Sequence, residues 1–164
     1  GQYISYLLTP ATVCLAVPLY RQLTLLRKNL KAVVIGIVSG VLASMVSVLI
    51  FAKLFGLSHS EYVTLLPKSI TTAIGMGVSE ELGGLVTITV AVIIITGVLG
   101  NVIAEAVLKV AKIEEPIAKG LAAHAIGTSK AMELGPVEGA MSSLAIAVAG
   151  LLTVIAASVF AGFM

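Results

Sequence analysis

Cysteine is almost missing from this chain. Cys14 stands alone, with no intrachain disulfide partner and no Cys or His neighbours at metal-ligand spacing, so neither a disulfide scaffold nor a zinc site is supported. Trp is absent and aromatic residues make up only 5%, too few for the aromatic girdles of a water-filled transmembrane barrel. Charged residues amount to 11%, and the net charge of +2 comes without a basic stripe interleaved with aromatics, so nucleic acid is not an expected partner. No G-x-S-x-G, P-loop, H-E-x-x-H or paired Cys occurs, and neither histidine has the neighbours a triad needs. An enzyme, a cofactor and a metal centre are therefore not expected. The opening GQYISYLL has neither an initiator Met nor the basic region and cleavage site of a signal peptide, and a partial N-terminus is expected.

What is present is apolar. With 164 residues, 59% of them hydrophobic, and a mean hydropathy of +1.13, the composition is that of a membrane protein rather than a soluble domain. Three long stretches stand out, at 30–55, 85–110 and 140–164. Each exceeds the roughly 20 residues that cross a ~30 Å hydrocarbon core as a helix. Although they are rich in Val and Ile, backbone in lipid must be satisfied within the segment, which a helix achieves and a lone strand does not. Gly36 and Gly40 form a G-x-x-x-G match on the first stretch, a weak signal for close helix contact in a chain so rich in small residues.

Three shorter segments differ in character: 3–20, 65–82 and 116–135. Their cores, LLTPATVCLAVPLY, LLPKSITTAIGMG and HAIGTSKAMELG, carry hydroxyls beside Pro or Gly. An offset of 57 aligns Pro10 with Pro67, Thr12 with Ser69, Thr71 with Thr128 and Thr72 with Ser129, while the long stretches begin 55 residues apart at Leu30, Leu85 and Ala140. The pattern reads as three diverged units, each an interrupted segment followed by a spanning helix.

Charge placement sets an expected topology. Linker 21–31 holds Arg21, Arg27, Lys28 and Lys31, and linker 109–119 holds Lys109, Lys112 and Lys119, so both are expected on the cytoplasmic side despite Glu114 and Glu115. If the first span exits and the second returns, segment 65–82 starts and finishes outside and is re-entrant. Segment 116–135 by the same logic enters from inside, giving an inverted pair. Interrupted backbone at membrane depth is tolerated where it lines a cavity, and in transporters such pairs hold the substrate.

The candidate binding residues follow from that. Lys68, Ser69, Thr71 and Thr72 just after Pro67, and His124, Thr128, Ser129 and Lys130 in the third segment, repeat a Lys-plus-hydroxyl chemistry suited to a carboxylate. Each has a plainer reading beside it. Lys68 can snorkel while Thr71 and Thr72 bond back onto their helix, His124 can be structural rather than a proton carrier, and Lys130 can pair with Glu133 at i and i+3. Asn101 and Glu105 sit one turn apart, either facing a cavity or marking the interface. Glu80 and Glu81 in VSEELGG read as a helix end closed by Gly83 and Gly84, and Glu138 as the first turn of the last span.

The blocks LLTPATVCLAVPLYRQL, LLPKSITTAIGM, Pro116 through HAIGTSKAMELG, and EGAMSSLAIAVAGLLT resemble, in order and over essentially the whole chain, the LrgB/CidB family of antiholin-like membrane proteins. The family includes the C-terminal half of the plant plastid glycolate/glycerate translocator. The resemblance implies a multi-pass protein of the bacterial cell membrane, tied to control of murein hydrolase activity, export and lysis beside a smaller LrgA/CidA-type partner. The plant relative implies transport of small carboxylates, and the bacterial pair has a connection with pyruvate. The PKSITT and HAIGTSK residues are where the resemblance is most recognisable, without an assigned role. Two departures accompany it: the family has about two further spans ahead of the LLTPATV block, and GLAAH before His124 is about one helical turn short.

The expectation is thus an all-α polytopic membrane protein, with interrupted or re-entrant segments in inverted repeats around a midplane site. Its function is expected to be a transporter or channel component for small monocarboxylates of pyruvate, glycolate or glycerate type. The alternative is an antiholin-like regulatory subunit. A homo-oligomer in the lipid bilayer is expected in either case.

Overall fold

The computed structural model describes residues 17, 20–122 and 128–164. Those residues form eight helices, with no strand among them. They are α1 (Leu23–Lys28), α2 (Leu30–Phe55), α3 (His59–Leu65), α4 (Thr72–Glu81), α5 (Val86–Val110), α6 (Pro116–Ala122), α7 (Thr128–Leu134) and α8 (Pro136–Ala161). Three of them, α2, α5 and α8, are long and apolar enough to cross a membrane. The segment at 3–20 lies outside the described residues apart from Val17 and Tyr20.

The basic stretch read as a linker folds as α1. Its Leu, Arg and Lys residues are good helix formers, and the helix stops where the Asn29 backbone N–H and side-chain amide both bond the Leu25 carbonyl, at 3.1 and 3.0 Å. The last long helix starts at Pro136, ahead of its apolar run, because Pro is preorganised for the first helical position and Glu138 suits the first turn.

Local chemistry also sets the other ends. Gly56 and Gly83 adopt left-handed φ of 65° and 79°. At the end of α4, the Gly84 N–H bonds the Ser79 carbonyl at 2.7 Å and the Gly83 N–H bonds the Glu80 carbonyl at 3.2 Å, a Schellman closure that satisfies carbonyls left over by the helix. The α3 start is a capping box. The Ser58 N–H and hydroxyl donate to Glu61 Oε2 at 2.8 and 2.7 Å, and the Glu61 N–H donates to Ser58 Oγ.

The helices α3 and α4, with the turn of Pro67 to Thr71 between them, make a hairpin whose two ends meet. The Ser60 hydroxyl donates to the Gly83 carbonyl at 3.1 Å. A buried knot of hydroxyls closes this base: the Leu85 N–H donates to Thr64 Oγ1 at 2.7 Å, and Thr89 Oγ1 lies 2.7 Å from Ser79 Oγ and 3.0 Å from the Thr64 carbonyl. Further in, Gly75 lets Ile93 of α5 and the Pro67 backbone approach closely. The tip reaches Ser44, whose hydroxyl is 3.1 Å from that of Ser69. Ser44 sits eleven residues before the end of α2, so at 1.5 Å per residue the tip is about 17 Å inside the bundle.

Around the hairpin, α2 and α8 run the same way. The Tyr62 hydroxyl donates to the Phe160 carbonyl at 2.9 Å, tying the start of α3 to the end of α8. At the other end of the bundle, α6 and α7 lie on the first turns of α8. A Cβ on Gly120 would meet the Glu138 carbonyl at 2.5 Å, and Thr128 Oγ1 is 2.7 Å from Ser142 Oγ. The core lies between α2, α3 and α8, with Val33, Met45, Ala52, Tyr62, Val63, Ala140, Met141 and Ala157 buried. By contrast Ile94, Ile95, Leu99, Val102, Ile103 and Val107 of α5 stay exposed, as suits a helix that faces lipid.

Candidate functional site

Pro67 is what makes a site here. It has no N–H to continue α3, and the chain turns through Lys68, Ser69 and Ile70 before Thr71, at φ −65° and ψ 145°, starts α4. The Thr71 side chain makes no capping bond, so the first N–H groups of this ten-residue helix, and the positive end of its dipole, are left for another acceptor.

Beside this turn lies a cleft of about 320 Å3. One wall is the turn itself, with Leu66, Lys68, Ser69, Ile70 and Thr71. The second is α2, from Gly36 to Met45, where Gly36 and Gly40 keep the wall low and Ser44 holds Ser69. The third is α8, with Ala145, Ile146, Ala149 and Thr153, and Leu121 and Ala122 of α6 close the far end. Lys68 is the one ionisable side chain in this lining among the described residues. It is half-buried, and its Nζ donates to Ser69 Oγ at 3.3 Å, so Lys68, Ser69 and Ser44 form a chain of donors along the cleft.

The candidate residues do not all meet. Lys68, Ser69 and Thr71 line the cleft, and Thr72 follows in the first turn of α4. Thr128 is buried with its hydroxyl against Ser142, outside the lining. Lys130 and Glu133 form an exposed i,i+3 pair at 3.3 Å, again outside it; exposed pairs of this kind contribute little stability. Ser129 belongs to α7, with its side chain outside the described residues, as is that of Glu105, and His124 lies outside them altogether. Asn101 is exposed on α5.

Sequence reasoning missed Ser44, Ala149 and Thr153. A Ser, Ala or Thr every turn on a long apolar helix has the same signature whether it packs a neighbour or borders a cavity. Only the offset of the G-x-x-x-G pair, whose face continues one turn on to Ser44, could have pointed to the α2 wall.

The LrgB-like family model matches residues 1–163. Holin-like protein CidB of Staphylococcus aureus (strain N315) is 41% identical over 148 residues, which cover 88% of this chain and 65% of that protein. CidB of Staphylococcus epidermidis (strain ATCC 12228 / FDA PCI 1200) is 43% identical with the same coverage. Antiholin-like protein LrgB of Bacillus cereus (strain B4264) is 38% identical over 168 residues, 100% of this chain and 73% of that protein. The chain thus spans 65% of the length of the staphylococcal relatives. No solved structure matches it significantly.

Proposed function

The chain belongs to the LrgB-like family and is a multi-pass protein of a bacterial membrane, and on that premise we propose that it moves small monocarboxylates, of pyruvate, glycolate or glycerate type, as a transporter or channel component. The observation that carries this reading is the cleft with Lys68 as its one ionisable lining residue among those described. A carboxylate there accepts charge-assisted bonds from Lys68 Nζ and hydroxyl bonds from Ser69 and Thr71, and it faces the free N–H groups at the start of α4. A volume of about 320 Å3 is at the small end for ligand sites and holds a three-carbon acid with a few waters at about 30 Å3 each.

In the proposed topology the end bearing Arg27, Lys28, Lys31, Lys109 and Lys112 is cytoplasmic. The α3–α4 hairpin then enters from the outer face, and α6 approaches from the inner face, with the cleft between their tips. This is the arrangement in which a site near the midplane is reached from alternate sides.

The test is uptake of labelled pyruvate or glycolate into proteoliposomes. Lys68→Ala is expected to abolish saturable flux, and unchanged flux would sink the site.

A second reading rests on the names of the relatives, holin-like and antiholin-like. In it the chain is a regulatory subunit that acts with an LrgA/CidA-type membrane partner on murein hydrolase activity and lysis, moving no substrate itself. Absence of any flux through the purified protein alone, with flux or lysis control restored by the partner, selects this reading.

A further inference from the structure

Several hydroxyls on the long helices are spent on their own backbone. Ser39 donates to the Gly36 carbonyl, Ser47 to Ser44, Ser143 to Gly139 and Ser158 to Val154, all within 3.1 Å. Of the two that border the cleft, Ser44 meets Ser69, which leaves Thr153 of α8. It is 4% exposed, yet its hydroxyl makes no hydrogen bond to any described residue. No described side-chain oxygen is both fully buried and unpartnered, so this hydroxyl meets open space, and the space that Thr153 lines is the cleft. A polar group held in an apolar wall costs free energy unless something bonds to it. Apart from the chain of Lys68, Ser69 and Ser44 and the Thr71 hydroxyl at the turn, every other described side chain in the lining is apolar or Gly.

We propose that Thr153 is a specificity-determining residue of the cleft: it hydrogen-bonds a second oxygen, a 2-oxo or 2-hydroxy group, on a ligand whose carboxylate is held at Lys68. The inference rests on the carboxylate reading of the cleft and adds what that reading leaves open, how a short acid bearing a second oxygen is told from a plain fatty acid. The two recognition points come from different elements, Lys68 from the interrupted turn and Thr153 from a continuous helix. A carboxylate alone engages one of them, and an acid with a 2-oxygen engages both. A water at Thr153 would satisfy the hydroxyl equally but would give no discrimination.

The experiment measures equilibrium binding of labelled pyruvate and of propionate, its analogue without the 2-oxygen, to the purified full-length protein. Variants are Thr153→Val, Thr153→Ser and Lys68→Ala, with thermal midpoints as the check on folding. Thr153→Val is expected to weaken pyruvate about 5- to 10-fold, the loss of one hydrogen bond, while leaving propionate unchanged. Thr153→Ser, which restores the hydroxyl, is expected to keep the wild-type preference. Equal effects of Thr153→Val on both acids, or no effect on either, with Lys68→Ala still abolishing both, overturn the role of Thr153 and leave the carboxylate site standing. Wild-type binding of both acids by Lys68→Ala overturns the carboxylate site itself.

Discussion

Gly40 and Gly84 carry opposite expectations, one in the wall of the cleft and the other at the base of the hairpin. A Cβ on Gly40 meets nothing within 4 Å, and the residue lines the cleft. Gly40→Leu is therefore expected to fill the cleft and stop carboxylate uptake with no fall in thermal midpoint. A Cβ on Gly84 would stand 2.5 Å from Ser79 Oγ and 3.1 Å from the Thr64 backbone nitrogen, inside the buried hydroxyl knot. Gly84→Ala should cost about 1–3 kcal/mol through overpacking, read as a lower midpoint in denaturant or heat. The sequence marked Gly83 and Gly84 as a helix end, because a Gly pair after an acidic last turn is a local signal. That Gly84 is also a close approach was hidden, since the Ser79 hydroxyl it would strike is held there by a knot that includes Thr64, twenty positions earlier. Thr128 makes the same point in reverse: Thr next to Ser and Lys suggested an anion ligand, and the hydroxyl it meets is that of Ser142.

At the scale of elements, the α3–α4 hairpin depends on two polar devices, one at each depth. The capping box at its mouth holds the Glu61 carboxyl below its ordinary value of 4.5, first through the Ser58 backbone N–H and then through the Ser58 hydroxyl. A carboxyl whose folded pKa is depressed contributes stability above its unfolded pKa and loses it as pH falls through the folded value. Protection of the backbone amides at the start of α3, measured against their intrinsic exchange rates, is accordingly expected to fall as the pH drops below 4.5, and Glu61→Gln should remove that pH dependence. The knot of Thr64, Ser79 and Thr89 sits deeper and has no titrating group, so it should be indifferent over the same range. Of this hairpin the sequence disclosed the break at Pro67 and the closure at Gly83, both local signals. That the two helices fold back on one another, with Ser60 meeting Gly83, was reachable only by way of charge placement in distant linkers.

For the whole molecule, the bundle has a basic end, with Arg27, Lys28, Lys31, Lys109 and Lys112, and an end where Glu61, Glu80 and Glu81 gather near the hairpin base. In a Cys14→Ser background, His59→Cys and Glu81→Cys are expected to react with an impermeant thiol reagent from the outer side, and Ile113→Cys from the cytoplasmic side. Labelling of positions 59 and 81 from opposite sides would replace the proposed re-entrant placement of the hairpin by a crossing one.

Composition and run length by themselves determined that this is an all-α membrane protein with three helices able to span. Those properties follow from free energies summed along the chain, apolar transfer into lipid and backbone bonds closed within a segment. Family membership was equally legible, because its blocks are local strings. The tertiary structure alone decided which of the polar residues share a cavity. Lys68, Ser69, Ser44 and Thr153 come from three elements and up to 109 positions apart, while Thr128 and Lys130, alike in chemistry, are turned to other partners. Such a selection depends on how helices are placed in space, and no pattern confined to neighbouring residues encodes it.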